Sequence, residues 1–192
     1  MDTTENKSGQ YIKIYTPAEI EQLKELLTTS LGIKRIVDTP RMPFRMLRLQ
    51  YNKKRRYDIK IAAGISPIPK VKYNKRSNCS YKFGYSGPIF TIEASVFTYS
   101  PNEIVEAIQE IENSFNRFKP FFHTIKKFTR DNADEAGDEV IDYFMYPNEI
   151  AKILAKMYIT DNNIKDNKYN SNFITLMYMI EKELHIFANE DV

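Results

Sequence analysis

Two aspartates raise the question of chemistry first. Asp38, taken with Asp58-Ile59-Lys60, has the composition of a metal-nuclease constellation. Two carboxylates would hold Mg²⁺ while an ammonium stabilises charge at a phosphate. The pattern has low specificity, because Glu5-Asn6-Lys7 and Asp166-Asn167-Lys168 repeat its acid-x-Lys element within 192 residues. The rest of the reactive inventory is small. A single cysteine, Cys79, can neither close an internal disulfide nor build a cysteine zinc site alone. There are two histidines. His123 lies between Phe121-Phe122 and Lys126-Lys127 and reads as a phosphate contact or surface residue, whereas His185 reads as structural in an apolar helix. No Walker A, GxGxxG, HExxH or GxSxG string occurs. The sequence therefore predicts no catalytic residue, no metal and no cofactor.

Charge is the stronger signal. The net charge of +3 conceals a segregation: residues 34–82 hold fifteen basic and two acidic side chains, a net of +13, and the remainder carries −10. Such asymmetry points to a polyanionic partner for the basic segment. Arg45, Arg48, Lys53, Lys54, Arg55, Arg56 and Lys60 form its first half. Its second half is Lys70-Val71-Lys72-Tyr73-Asn74-Lys75-Arg76, followed by Tyr81-Lys82-Phe83-Gly84-Tyr85. Cations neutralise phosphates and release counterions without regard to sequence, and tyrosine rings stack on unpaired bases. The candidate contacts are therefore Arg45, Arg48, Lys53, Lys54, Arg55, Arg56, Lys60, Lys70, Lys72, Lys75, Arg76 and Lys82, with Tyr73, Tyr81 and Tyr85 as stacking rings.

These residues sit in a segment that alternates like β-structure. Tyr57, Ile59 and Ile61 fall on one face of a strand over 57–63, with Asp58 and Lys60 on the other. Phe44 to Tyr51 alternates as well, and residues 52–56 read as a basic hairpin connection. Further strands are expected over 11–15, 70–73, 80–85 and 89–99. Helices flank this region. Thr16-Pro17-Ala18-Glu19 and Ser100-Pro101-Asn102-Glu103 both have the form of a capping box with proline at the first helical position. They predict helices over 17–31 and to about residue 118. Tyr146-Pro147-Asn148-Glu149-Ile150 opens another to about 159, and Ser171 is the expected cap of a last helix to about 187. The acidic stretch 131–142, with Gly137, reads as an exposed loop.

The fold class is thus α+β: a short β/α start, a basic antiparallel β-rich middle and a helical C-terminal half. Residues 1–10 read as a flexible tail, 11–130 as the α+β domain, and 131–192 as a helical segment packed on it or mediating association. Met177 to Ile180 are consecutive apolar residues, so that helix is expected to be buried in a core or in a homo-oligomer interface. No apolar run is long enough to span a membrane, and the polar first ten residues lack a signal-peptide core. The functional expectation is an intracellular, non-enzymatic protein binding nucleic acid, preferably single-stranded. The alternative is a protein-interaction or assembly subunit, of phage or viral kind, whose basic patch meets an acidic partner, with a metal-dependent nuclease third.

Overall fold

The computed structural model describes residues 3–5, 11–40, 44–52, 55–63, 79–84, 87–139 and 147–190. The chain divides into two compact units, Met1–Gln109 and Glu110–Val192, with the division inside a helix.

In the first unit, β1 (Thr3–Glu5) pairs antiparallel with β2 (Tyr11–Tyr15). The other residues of the expected tail lie outside the described residues. Helix α1 spans Pro17–Leu31 and begins with the anticipated capping box: the Thr16 side chain accepts from the Glu19 N–H, and Glu19 reaches back to the Thr16 N–H. Such a cap contributes about 1 kcal/mol. Gly32, at φ +67°, adopts the left-handed conformation that closes the helix. Ile20, Leu23 and Leu27 form its buried stripe. Strands β3 (Ile36–Pro40), β4 (Phe44–Asn52) and β5 (Arg55–Ala63) then run as an antiparallel meander. Strands β6 (Cys79–Gly84) and β7 (Gly87–Glu93) form a second antiparallel pair.

The joins between these pairs correct the expectation of an antiparallel middle, because the sheet is mixed. One edge of β5 pairs with β4; along the other, β7 runs parallel to residues 56–60 and β2 runs parallel to residues 62–63. The strand expected over 89–99 ends early for the same reason. After the Ala94 N–H bonds to the Lys60 carbonyl at 3.2 Å, the chain turns away from β5. Ser95 makes the handover: its hydroxyl accepts from the Ala62 N–H, and its carbonyl accepts from the Lys13 N–H of β2 at 2.8 Å. Thr98, at φ +52°, lies in the turn that follows. The strand expected over 70–73 lies outside the described residues.

Register assigns the side chains to two faces. Leu49, Tyr57 and Phe90 stand opposite one another on adjacent strands, as do Leu47, Ile59 and Ile92, and all six are fully buried. The Tyr57 and Phe90 rings stack at 5.6 Å, and Tyr51 meets Tyr57 edge-on at 6.2 Å. Helix α1 is tied to this face through Lys24, which bonds Asp38 of β3 at 2.9 Å.

Helix α2 (Pro101–Phe118) runs from the first unit into the second. Its start is the second capping box, with Ser100 and Glu103 exchanging backbone bonds at 3.2 Å. In the second unit a 3₁₀ turn (Lys119–Phe121) leads into α3 (Phe122–Glu139), then α4 (Pro147–Asp161) and α5 (Ser171–Glu190). Most of the acidic stretch expected as a loop is helix. Ile125, Thr129, Ala133 and Ala136 recur every three or four residues and are buried, while Asp131, Asp134 and Glu135 point outward. The Ser171 cap is also corrected. Asp166 does the capping, accepting from the Asn172 and Phe173 N–H groups at 3.1 and 2.9 Å, and Ser171 is the first helical residue. Tyr178, Met179 and Ile180 are buried within the unit, where α5 packs against α3 and α4 and Tyr178 meets Phe115 of α2. No helix among the described residues is long and apolar enough to cross a membrane.

Candidate functional site

The sheet face opposite the buried aromatic row carries Arg48 and Gln50 on β4, Arg56, Asp58 and Lys60 on β5, Glu93 opposite Lys60 on β7, and Lys82 on β6. Their common side follows from the register: Arg48 is opposite Asp58, Gln50 opposite Arg56, and Lys82 opposite Ile89, which is itself opposite Arg56. Arg56 and Lys82 are therefore separated by one strand, or roughly 10 Å across the sheet. Arg48 and Lys82 are exposed, and Arg56 and Lys60 are half-buried.

Asp58 organises this face. It is only 4% exposed. Both Arg48 and Arg56 converge on its Oδ1, Arg48 Nε at 3.2 Å and Arg56 Nε at 3.6 Å. Arg48 also places Nη2 3.5 Å from Oδ2, a forked approach that fixes the guanidinium plane. A guanidinium has five N–H donors, so Arg48 keeps donors for another anion, while Arg56 Nε stands too far from Asp58 for a hydrogen bond and is held by charge alone. Lys60 rests its ammonium 4.8 Å from the Phe44 ring, an orienting cation–π contact. In the sequence Asp58 stands out only within a low-specificity nuclease-like pattern, and this anchoring role was missed. Its signal was the alternation of Arg56, Asp58 and Lys60 at every second position.

Arg45 is on the other face, opposite Ile61. It forms a forked pair with Asp38, which also receives Lys24 from α1. Burial pushes the Asp38 carboxyl up, but the hydrogen bonds from Arg45 and Lys24 outweigh it and hold the group below the usual carboxylate range. Arg45 is thus a tie beneath α1. Asp38 and Asp58 lie on opposite faces, so the proposed pair cannot share one Mg²⁺. Among the described residues, no group of three His, Cys, Asp or Glu side chains could hold a metal ion.

Tyr81 also departs from expectation. It stands opposite Phe90 on the buried aromatic row, with ring centroids 6.3 Å apart, and is half-buried. The strand alternation that interleaves rings and cations along the chain separates them onto opposite faces, so Tyr81 cannot stack a base beside Lys82. Arg55 lies at the β4–β5 hairpin, where its carbonyl accepts from Gln50 at 3.1 Å. Lys53, Lys54, Lys70, Lys72, Tyr73, Lys75, Arg76 and Tyr85 lie outside the described residues.

The second unit has its own concavity of about 480 Å³, lined by Glu110, Arg117, Lys165, Asp166, Asn167 and Asn172 among others. Its polar groups bond one another: Arg117 and Ser114 donate to Asn172, and Asn167 donates to Glu110 at 3.0 Å. They brace the start of α5. Compared with known proteins, the chain matches no family model, no curated protein and no solved structure.

Proposed function

We propose that this chain binds nucleic acid without catalysing a reaction, holding the sugar–phosphate backbone on the cationic face of the first unit's sheet. The observation that carries this reading is the convergence of Arg48, Arg56, Lys60 and Lys82 on one face, with both arginines directed at the buried Asp58. Oriented cations lose less freedom when a phosphate arrives. The wider charge split, +13 over residues 34–82 against −10 elsewhere, supports the same partner. Contacts of this kind position a backbone and carry no base specificity.

The test is the affinity for a fluorescent oligonucleotide measured by anisotropy across a salt series. The reading requires a steep fall in log affinity against log salt, of roughly −0.7 to −0.9 per phosphate neutralised. Absence of binding at low salt overturns it. Salt-sensitive binding to polyglutamate that excludes the oligonucleotide would assign the face to an acidic protein instead.

A further inference from the structure

The sheet offers oriented cations, but Tyr51, Tyr57, Tyr81 and Phe90 turn inward, and Phe44, on the cationic face, is half-buried with the Lys60 ammonium 4.8 Å from its ring. Exposed rings occur elsewhere, at the corner between α2 and α3. Phe121 is 50% and Phe122 46% exposed, and they are the only aromatic residues among the large hydrophobic side chains exposed in the described residues. Phe118 and Ile125, three residues to either side, are buried, and Pro120 restricts the turn. The two rings are thus held outward by a braced corner.

The surroundings select the partner. No acidic residue occurs from Asn113 to Arg130, while Arg117, Lys119, Lys126, Lys127 and Arg130 fall within that stretch, Lys127 pairing with Asp131 at 2.7 Å and Arg130 with Glu183 at 2.8 Å. Lys119, His123, Lys126 and Lys127 are exposed. Lys126 places its ammonium 5.6 Å from the Phe122 ring, so ring and cation are presented together. An anionic bilayer fits less well. Consecutive residues of a helix point about 100° apart, so the two rings diverge and form no single apolar face. Exposed Asp131, Asp134 and Glu135 would also repel an anionic surface lying along α3. A single strand needs only the corner, with bases on the rings and phosphates on the lysines.

We infer that the Phe121–Phe122 corner is a single-strand-selective contact, stacking unpaired bases while Lys119 and Lys126 hold flanking phosphates. The inference rests on the nucleic-acid reading above and adds the preference for unpaired bases that the sheet face does not supply. It is tested with the full chain, comparing the wild type with Phe121→Ala/Phe122→Ala and with Phe121→Leu/Phe122→Leu. Anisotropy is read with a labelled oligothymidine, with a duplex of equal length, and with vesicles containing phosphatidylserine. Both variants should lose about tenfold or more in single-strand affinity while duplex affinity changes by less than about twofold. Leucine failing to rescue identifies stacking and excludes apolar contact as the cause. Thermal melting verifies that these surface variants remain folded.

Unchanged single-strand affinity in both variants overturns the inference and leaves the sheet reading standing. Equal losses for single strand and duplex overturn it as well, as does ring-dependent binding to vesicles without ring-dependent binding to oligothymidine. If the wild type binds neither nucleic acid, the sheet reading fails and the corner assignment falls with it.

Discussion

Asp38 and Asp58 stand on opposite faces of one sheet, the first under Lys24 of α1 and the second between Arg48 and Arg56. The two carboxylates therefore do different work, and their removal should have different consequences. Asp58→Asn removes a negative charge from the cationic face. It also removes the carboxylate that orients Arg48 and Arg56, so oligonucleotide affinity at low salt should fall by up to about tenfold as those side chains must be ordered on binding. Unchanged or raised affinity in a variant that still melts cooperatively would show that the orientation of the two arginines contributes nothing to binding.

The cations on that face should be separable by their salt dependence. Arg48→Ala and Lys82→Ala each remove an exposed cation from the sheet. Each should flatten the log–log salt slope for single strands by about 0.7 and weaken binding about equally across sequences. Arg45→Ala should leave the slope unchanged and lower stability, because Arg45 is bound to Asp38 on the buried face. Equal slope changes for Arg45 and Lys82 would contradict the assignment of faces.

Acid should act through Asp38. Its folded-state pKa lies below the ordinary value because the bonds from Arg45 and Lys24 outweigh the upward push of burial. A depressed carboxylate contributes stability in full above its unfolded pKa, near 4, and loses it as pH falls through the folded value. Urea melts from pH 7 down to pH 2 should therefore show a steeper acid loss for the wild type than for Asp38→Asn. The variant should also be the less stable of the two at pH 7. Parallel curves would mean that these ion pairs contribute nothing to folding.

Tyr15 offers a test of the core beneath the sheet. It is 1% exposed, and its hydroxyl donates to the Tyr99 carbonyl with the Ala94 carbonyl 3.3 Å away. Burial, aided by the nearby Glu19 and Glu103 carboxylates, pushes the phenol pKa far up, so the group stays a donor at any working pH. Tyr15→Phe leaves buried carbonyls short of a partner and should cost about 1–3 kcal/mol in denaturant melts.

In the second unit, Asp166→Ala should cost about 1–2 kcal/mol by removing the side chain that accepts from the Asn172 and Phe173 N–H groups. Hydrogen exchange at the first turn of α5 is the direct readout, and unchanged protection at those amides would argue against the cap.

Much of the secondary structure was legible in local sequence. Thr16-Pro17-Ala18-Glu19 and Ser100-Pro101-Asn102-Glu103 start α1 and α2 where they were expected, because a capping box is satisfied within four residues. The inward set Tyr57, Ile59 and Ile61 was equally readable, since strand alternation is a local period. The helix over 131–139 was hidden because its buried side consists of small residues, Ala133 and Ala136, which give little hydrophobic contrast against the surrounding acids. Asp166 was hidden because its capping bonds cross six and seven residues of loop.

What the sequence by itself determined is the cationic segment, the capped helices and the alternation within each strand. These depend on residue type and short spacing. Only the tertiary structure decided that Arg45 and Tyr81 turn inward while Arg48 and Lys82 turn outward, that Asp38 and Asp58 never meet, and that the exposed rings lie at the α2–α3 corner. The physical reason is register. Adjacent strand residues point to opposite faces, so which cations share a surface depends on how distant strands pair, and a slip of one residue would exchange the two sets.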